Sequence, residues 1–223
     1  MTLDAQETST RIQTAAESLF ADSGYDGVSL RQITAAAGVN LAAVNYHYSD
    51  KQSLYLEILT SRMRELSHAR LTHLADAERR AGEIAIPLVE IIDILAGPLL
   101  QPGEFLMPSF GPSSRRLLGR ALTEPHGFVA PVLAKDLQPA VTRCGQAIRR
   151  HLLAVPPSDF IWRYSFLIGA LHHTAATLHD MKSLTNGFCA NDDAESALRN
   201  FRQFALAALR TNDLVRSFSN PTP

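Results

Sequence analysis

The stretch VSLRQITAAAGVNLAAVNYHYSDKQSLYLEIL, residues 28–59, decides how the chain begins to fold. Ser29, followed three residues later by Gln32, is the pattern of a capping box, which predicts a short helix from about residue 30. Gly38 is suited to the left-handed residue that ends this helix, and Asn40 can cap a third one. The segment LAAVNYH then provides only about two helical turns. Two short helices joined by a turn that contains glycine are typical of a helix-turn-helix.

Longer helices are predicted on both sides of this segment. Upstream, apolar residues recur at helical spacing from Ile12 to Phe20, and Gly24 is a suitable stop. Downstream, Ser49 and Gln52 have the spacing of a second capping box, which predicts a long helix over residues 50–80. The apolar stripe of that helix is Leu54, Ile58, Met63 and Leu66.

The remainder of the chain is also helical in pattern. The segment IAIPLVEIIDILAGPLL, residues 84–100, is apolar on nearly all sides, which predicts a buried helix. Pro139 falls inside a long helical pattern over residues 128–155 and is expected to kink or break it. No strand pattern and no internal repeat are found, so the predicted fold class is all-α.

The last two long helices are predicted over about residues 158–186 and 193–211. Ser158 is the expected N-cap of the first, and Asp192 with Glu195 forms a third capping box before the second. The chain thus divides into a three-helix head (1–52), a larger helical body (53–215) and a tail expected to fray (216–223).

Composition narrows the class of protein. Of the 223 residues, 46% are hydrophobic and 19% are charged, which is typical of an ordinary globular protein. The N-terminus has no basic start and no apolar core, so no signal peptide is expected, and no apolar run is long enough to suggest a membrane span. Two cysteines, Cys144 and Cys189, suggest no disulfide framework. A cytoplasmic protein without a cofactor is the resulting expectation.

The charge of the head argues mildly against nucleic acid as a partner. Residues 1–52 contain Arg11, Arg31 and Lys51 against six acidic residues, whereas a DNA-binding surface is usually basic. The acidic residues are Asp4, Glu7, Glu17, Asp22, Asp26 and Asp50. An all-α adaptor that binds no specific DNA sequence therefore remains an alternative. If the head does bind DNA, its affinity is expected to be low and to require two copies acting together.

The stretch from Arg11 to Leu59 nevertheless resembles the DNA-binding segment of the TetR family of bacterial transcriptional regulators. The resemblance is carried by a helix, Gly24-Tyr25, a capped helix, AAGV, a short helix ending in Tyr-His-Tyr, and an early lysine in the next helix. It implies a ligand-responsive regulator, most readily a repressor, that binds a pseudo-palindromic double-stranded operator as a homodimer. The pair of helices at about 158–186 and 193–211 would form the dimer.

Several residues are then expected to contact DNA. Small residues at the front of the third helix let its backbone approach the major groove, and Asn45 can donate to and accept from a base edge. Tyr46 and His47 are expected to reach phosphate or sugar, whereas helical periodicity places Tyr48 on the inward side. The N-terminus of the second helix can bind a phosphate, to which Arg31 and Lys51 would add charge by family position. The full expected set is Ser29, Arg31, Asn40, Leu41, Ala42, Ala43, Asn45, Tyr46, His47 and Lys51.

The body resembles regulators that respond to fatty acids or acyl-CoA. The stretches RRLLGRALTEP (115–125) and DFIWRYSFLIGALHHTAA (159–176) carry this second resemblance. It implies a small apolar or amphipathic effector with an acidic end. The candidate pocket residues are Phe105, Met107, Phe110, Arg115, Arg116, Leu117, Leu118, Arg120, Phe128, Ile168 and His172. The competing interpretation is that apolar residues at helical spacing are simply core and that arginines are solvated.

Two further interpretations are weaker. His172, His173 and His179 suggest a metal site, but neighbouring histidines point about 100° apart on a helix and positions seven apart are separated by about 10.5 Å. Zinc bonds of about 2.1 Å cannot span that without other ligands, so no metal is expected. The sequence has no GxSxG, GxxxxGK[ST], GxGxxG or HExxH motif, and no enzyme is predicted.

Overall fold

The computed structural model of the protein describes residues 3–105, 107, 109–123 and 126–210. Over these residues every regular element is helical, which confirms the predicted all-α class. The head contains α1 (Leu3–Ser23), α2 (Leu30–Ala37) and α3 (Leu41–His47), and α4 (Lys51–Ala81) follows at once. The predicted boundary at residue 52 therefore falls in the first turn of α4, while the predicted tail, 216–223, lies outside the described residues.

The predicted caps of the two short helices are confirmed. The Ser29 hydroxyl accepts a hydrogen bond from the backbone N–H of Gln32 at 3.3 Å, and the Gln32 side-chain oxygen accepts from the Ser29 N–H at 2.8 Å. Gly38 has φ +63°, a conformation that favours glycine, and it ends α2. Asn40 Oδ1 accepts from the Ala43 N–H at 2.8 Å, which fixes the start of α3.

The predicted cap of α4 is wrong by one residue. Asp50, not Ser49, is the N-cap, because its extended backbone turns the carboxylate back onto the helix. Asp50 Oδ1 accepts from the Ser53 N–H at 2.7 Å, and Ser53 Oγ accepts from the Asp50 N–H at 3.1 Å. The predicted apolar stripe of α4, from Leu54 to Leu66, is buried as expected.

The body is built from helices of very different lengths. In chain order they are α5 (Leu88–Leu100), a 3₁₀ turn (Pro102–Phe105), α6 (Pro112–Thr123), a 3₁₀ turn (Gly127–Val129), α7 (Ala130–Val132), a π-helical turn (Leu133–Leu137), α8 (Gln138–Arg149), α9 (Pro157–Thr177), a 3₁₀ turn (Leu178–Asp180), α10 (Met181–Leu184) and α11 (Ala194–Arg210). Helix α5 is buried along its second half, Ile94 to Leu100, which confirms the prediction of a buried helix.

Pro139 is accommodated by a change of helix type. It lies in the first turn of α8, where a missing N–H leaves no hydrogen bond unmade. The turn before it is π-helical, and the Gln138 N–H donates to the Leu133 carbonyl five residues back. The π-helical turn holds one extra residue, and it interrupts the α-helix just before Pro139, which agrees with the predicted break.

The predicted ends of the last two long helices need correction. Helix α9 ends at Thr177 instead of continuing to residue 186, and its N-cap is Pro156 rather than Ser158, because Pro157 already has the helical φ required at the first position. Asp193, not Asp192, caps α11 by accepting from the Ser196 N–H at 2.9 Å. Asp192 has φ +52° and instead bonds to Arg115 of α6.

Helix α6 lies between the head and α9. A Cβ on Gly119 would come within 2.3 Å of the Ala176 backbone nitrogen, so only glycine allows α6 and α9 to pack this closely. On its other side α6 contacts α1. One buried core runs from Ile12 in α1 to Leu209 in α11. Among the described helices, none combines the length and the apolar character that a membrane crossing requires.

Candidate nucleic-acid interface

Helix α3 presents most of its residues outward. Only Val44 is buried, and it anchors the helix to the core. Leu41, Ala42, Asn45 and Tyr46 are exposed, and Tyr46 has 79% of its surface accessible. Ala43 is partly covered. A helix with this uncovered face and small residues at its front has the dimensions to enter a major groove, which is about 12 Å wide.

The aromatic residues at the end of α3 divide as predicted between inside and outside. Tyr48 is buried, and its hydroxyl bonds to Ser9 Oγ at 2.9 Å, so it joins the end of α3 to α1. Burial raises the pKa of Tyr48. His47 is partly buried, with its ring centroid 5.1 Å from that of Tyr46.

The N-terminus of α2 lies beside the lysine of α4. Lys51 Nζ donates to the carbonyls of Tyr25 at 3.0 Å and Val28 at 2.9 Å, and it lies 4.1 Å from the centre of the Tyr25 ring. Its charge is therefore held immediately before Ser29, where α2 begins. Arg31 is exposed in the first turn of the same helix. The arrangement concentrates two positive charges at a helix N-terminus, which itself favours anions.

Two of the acidic residues of the head, Glu17 and Asp22, form ion pairs with arginines of other helices. Glu17 pairs with Arg62 of α4, and Asp22 pairs with Arg116 of α6. Asp50 caps α4, and its charge and that of Asp26 act on Tyr25, which lies beside Lys51. Ion pairs thus offset the charges of Glu17 and Asp22, whereas Asp26 and Asp50 keep negative charge close to Lys51.

The predicted effector residues are distributed over separate contacts. Phe105 packs edge-on against His73, whereas Phe128 packs against Tyr25 and His126 on the side of the head. Met107, Phe110, Leu117 and Leu118 are buried in the core, and Ile168 packs against it. Arg115 and Arg116 hold Asp192 and Asp22, and Arg120 lies near Gly24. His172 lies on α9 with its Nε2 buried. The role of these residues in binding an effector remains a prediction.

A groove that the sequence reasoning missed lies between α9, α10 and α11. It has a volume of about 820 Å³ and a mainly apolar lining. None of the predicted effector residues lines it. The lining residues are Ala170, His173, Thr174, Thr177, Leu178, Met181, Leu184, Thr185, Phe188, Cys189, Ala190, Asp193, Ser196, Ala197, Asn200, Phe201 and Phe204. Its existence depends on the end of α9 at Thr177, which the sequence pattern did not reveal.

The histidines considered for a metal do not form a ligand cluster. His179 Nε2 lies 2.9 Å from Asp180 Oδ2, while on α9 His172 is partly buried and His173 is exposed. Within the described part of the chain, no group of three or more His, Cys, Asp or Glu residues is placed to hold a metal ion.

Comparison with known proteins identifies two matched regions. Residues 12–58 match the bacterial regulatory proteins of the tetR family, and residues 105–208 match the tetracyclin repressor-like C-terminal domain. The HTH-type transcriptional regulator AcrR of Shigella flexneri is 36% identical over 92 residues, which span 41% of this chain and 40% of that protein. The match thus covers less than half of that regulator.

Solved structures show the same fold at low identity. The fatty acid degradation regulator FadR from Bacillus halodurans superposes with a TM-score of 0.58 and 13% identity, covering 92% of this chain and 97% of that one. A TetR family transcription regulator from Marinobacter aquaeolei VT8 superposes with a TM-score of 0.53 and 16% identity. The superposition covers 92% of this chain and 98% of that one. Proteins of the matched family are transcription factors and not enzymes, in agreement with the prediction from motifs. The two family matches together cover about two thirds of the sequence, and the chain belongs to the TetR family of bacterial transcriptional regulators.

Proposed function

We propose that the protein is a ligand-responsive repressor that binds a pseudo-palindromic operator as a homodimer and releases it when a small molecule binds the body. The observation that carries this proposal is the uncovered face of α3, with Asn45 and Tyr46 exposed, together with Lys51 and Arg31 at the start of α2. Asn45 would read a base edge, and Tyr46 and His47 would contact the sugar-phosphate backbone. The other expected DNA contacts are Ser29, Arg31, Asn40, Leu41, Ala42, Ala43 and Lys51.

The dimer would form through α9 and α11. Trp162 and Phe166 on α9 are each 64% exposed, and their ring centroids are 5.8 Å apart. Ile161 on α9 and Phe204 on α11 are also exposed. Large apolar side chains that share one surface mark an interaction site, and a second copy of the chain would bury them symmetrically. The α3 helices of the two copies could then enter successive major grooves, which are about 34–36 Å apart.

Release of the operator would be a shift between two arrangements of the head on the body. Helix α4 continues from the head into the body, and α6 contacts α1 through Ser114 and Arg116. A body ligand that moves α4 or α6 would therefore change the orientation of α3. A ligand that favours the released form 100-fold would supply about 2.7 kcal/mol per site, which is enough to change operator occupancy.

The effector class follows from the resemblance of the body to fatty-acid and acyl-CoA regulators. The groove along α9, α10 and α11 has a volume in the usual range for small-molecule sites, about 300–1,000 Å³. It borders the same exposed faces of α9 and α11, so an apolar molecule bound there would act directly on the proposed dimer surface. The candidates around Phe105, Arg115 and Phe128 remain the alternative site.

The first experiment is fluorescence anisotropy on a labelled duplex from immediately upstream of this protein's own gene, with excess unlabelled random DNA present. Specific binding that falls when octanoate or an acyl-CoA is added would support the proposal. The slope of log affinity against log salt is expected to be shallow, because few basic residues are available, at about −0.9 per phosphate contacted.

The net negative charge of the head favours one other candidate, an all-α adaptor that binds no specific DNA sequence. This candidate predicts no preference for any duplex over random DNA at any salt concentration. A selection of genomic fragments on the immobilised full chain at low salt separates the two. Enrichment of a palindromic sequence would exclude the adaptor, and uniform recovery would exclude the repressor.

A further inference from the structure

A buried arginine lies at the centre of the body. Arg70 of α4 has no exposed surface and is the largest side chain among those less than 2% exposed. Its Nε donates to the carbonyl of Leu95 on α5 at 2.8 Å. Both Nη atoms are buried, and neither has an acceptor among the described protein groups. Two nitrogens of the guanidinium are therefore buried in the body as hydrogen-bond donors, and the described part of the chain provides no acceptor for either.

Groups on two more helices are close enough for the charge of this guanidinium to act on them. Its positive charge acts on the pKa values of Cys144 on α8 and of Tyr164 and His172 on α9. The Tyr164 hydroxyl is engaged, since it donates to the Val141 carbonyl at 2.6 Å. The Nε2 of His172 is buried and, like the Nη atoms, has no partner among the described groups. Arg70 on α4 and His172 on α9 thus contribute three buried nitrogens that have no partner among the described groups.

The other buried arginine of the body has a different environment. Arg115 is also buried, but it pairs with the carboxylate of Asp192. Arg116, which the sequence suggested as an anion-binding group, pairs with Asp22. A buried charge without a partner is strongly unfavourable, and the exceptions in proteins usually serve a function. The flat fork of a guanidinium matches the two oxygens of a carboxylate.

We propose that Arg70 anchors a buried site for the carboxylate of an organic acid with an apolar body, with His172 as the second contact. This inference rests on the proposed function, because it names the class of effector that the body would sense. The surrounding helices supply apolar surface, most of all the buried second half of α5. Since Arg70 is on α4, a ligand held there acts on the helix that continues into the head.

His172 fits the same ligand. Burial, and then the charge of Arg70, lowers the pKa of His172 to about 4. At neutral pH its ring is therefore uncharged and can donate a hydrogen bond without adding a second positive charge. The site then carries one positive charge, which suits a monoanion better than a phosphate with two negative charges.

The test is the thermal unfolding midpoint of the full chain with acetate, octanoate or benzoate, and with octanol as the uncharged control. We expect octanoate at hundredfold excess over its Kd to raise the midpoint by about 5–10 °C, and octanol to leave it nearly unchanged. Arg70→Met should abolish the octanoate shift. Arg79→Met, which removes an exposed arginine of the same helix, should retain it.

A second variant, and the thermal unfolding midpoint measured without any acid, show whether a lost response reflects lost binding or a damaged fold. Without added acid, Arg70→Met should unfold at the same temperature as the natural chain or higher, because an unpaired buried charge has been removed. If that variant does not fold, Arg70→Lys keeps the charge without the fork and should bind octanoate at least tenfold more weakly. The proposal is overturned if none of the three acids shifts the midpoint, or if the shift is equal in the Arg70 variants.

The outcome is independent of DNA binding. Anisotropy on the operator without any added acid measures the proposed regulator alone. Operator binding without any carboxylate response would contradict the proposed Arg70 site and support the proposed repressor function. A carboxylate response that depends on Arg70, without operator binding, would support the proposed site and contradict the proposed repressor function.

Discussion

Glu17 of α1 and Arg62 of α4 form a two-pronged ion pair, with Nε to Oε1 at 2.9 Å and Nη2 to Oε2 at 2.8 Å. The Ser114 hydroxyl of α6 donates to the same carboxylate. A single buried side chain therefore joins the first helix of the head to two helices of the body. Because Glu17 is only 6% exposed, solvent screens this pair little.

Glu17→Ala should destabilise the whole fold rather than one helix. It leaves Arg62 partly buried with only Glu65 as a partner, at 3.0 Å. Removing one member of a buried pair costs about 3 kcal/mol. We expect that loss in the free energy of unfolding measured by urea titration. Asp76→Ala is the control, because it breaks the exposed pair with Arg79 and should change stability by less than about 0.5 kcal/mol.

The local features of the head could be predicted from the sequence, whereas its attachment to the body could not. Caps at Ser29, Gly38 and Asn40 depend on residues at most four positions apart, so their pattern is visible in the chain. Glu17 and Arg62 are 45 residues apart. A glutamate on a helix usually faces solvent, and no short-range pattern distinguishes one that does not.

Tyr46→Ala should weaken operator binding without affecting the fold. The side chain is 79% exposed, so its removal costs almost no packing. If it contacts the sugar-phosphate backbone as proposed, affinity should fall about tenfold, equally for specific and random duplexes. Anisotropy titrations and thermal melts of the same variant provide the measurement. An unchanged affinity would remove Tyr46 from the proposed contacts.

Lys51→Met should weaken both DNA binding and the head itself. Lys51 donates to the Tyr25 and Val28 carbonyls, and its loss removes this donor from both, although the Val28 N–H still donates to the Tyr25 carbonyl at 3.4 Å. We expect a loss of about 1–3 kcal/mol in stability. The slope of log affinity against log salt should also become shallower by about one phosphate contact. A variant that loses stability but keeps the salt slope would show that Lys51 is structural only.

Trp162→Glu should produce a monomer that folds. Trp162 is 64% exposed and lies beside Phe166 on α9. A charge at this position is therefore tolerated in a single copy of the chain and is costly when it is buried between two copies. Light scattering after size exclusion should show about half the mass of the natural chain. Ile84→Glu, at an 80% exposed position outside α9 and α11, is the control. If the mass does not change, the dimer surface lies elsewhere.

One signal for the Arg70 site was present in the sequence. Arg70 lies four residues after Leu66 and four before Leu74, which places a charge on the buried stripe of α4. Charged residues on such a stripe are almost never fully buried unless they are paired. The groove at α9 had no comparable signal, because it depends on where α9 stops and the 3₁₀ turn at Leu178 begins.

The pKa of His172 predicts how stability should change with pH. The unfolded chain binds a proton at His172 near pH 6.5, whereas burial, and then Arg70, lowers the folded pKa to about 4. Between these values the unfolded state holds more protons, so stability is lost as the pH falls from about 6.5 to 4. The contribution of this group is at most about 3 kcal/mol, from 1.36 kcal/mol for each pKa unit.

Urea titrations at pH 7 and pH 5 measure this contribution. His172→Gln removes the titrating ring and keeps a polar side chain, so its stability should fall less between the two pH values than that of the natural chain. His173→Gln is the matched control, since His173 is the exposed neighbour on the same helix and should leave the difference unchanged. Equal pH dependence in the natural chain and His172→Gln would show that His172 can be protonated in the folded state. The ring would then add a second positive charge beside Arg70, and the site would favour a more highly charged anion.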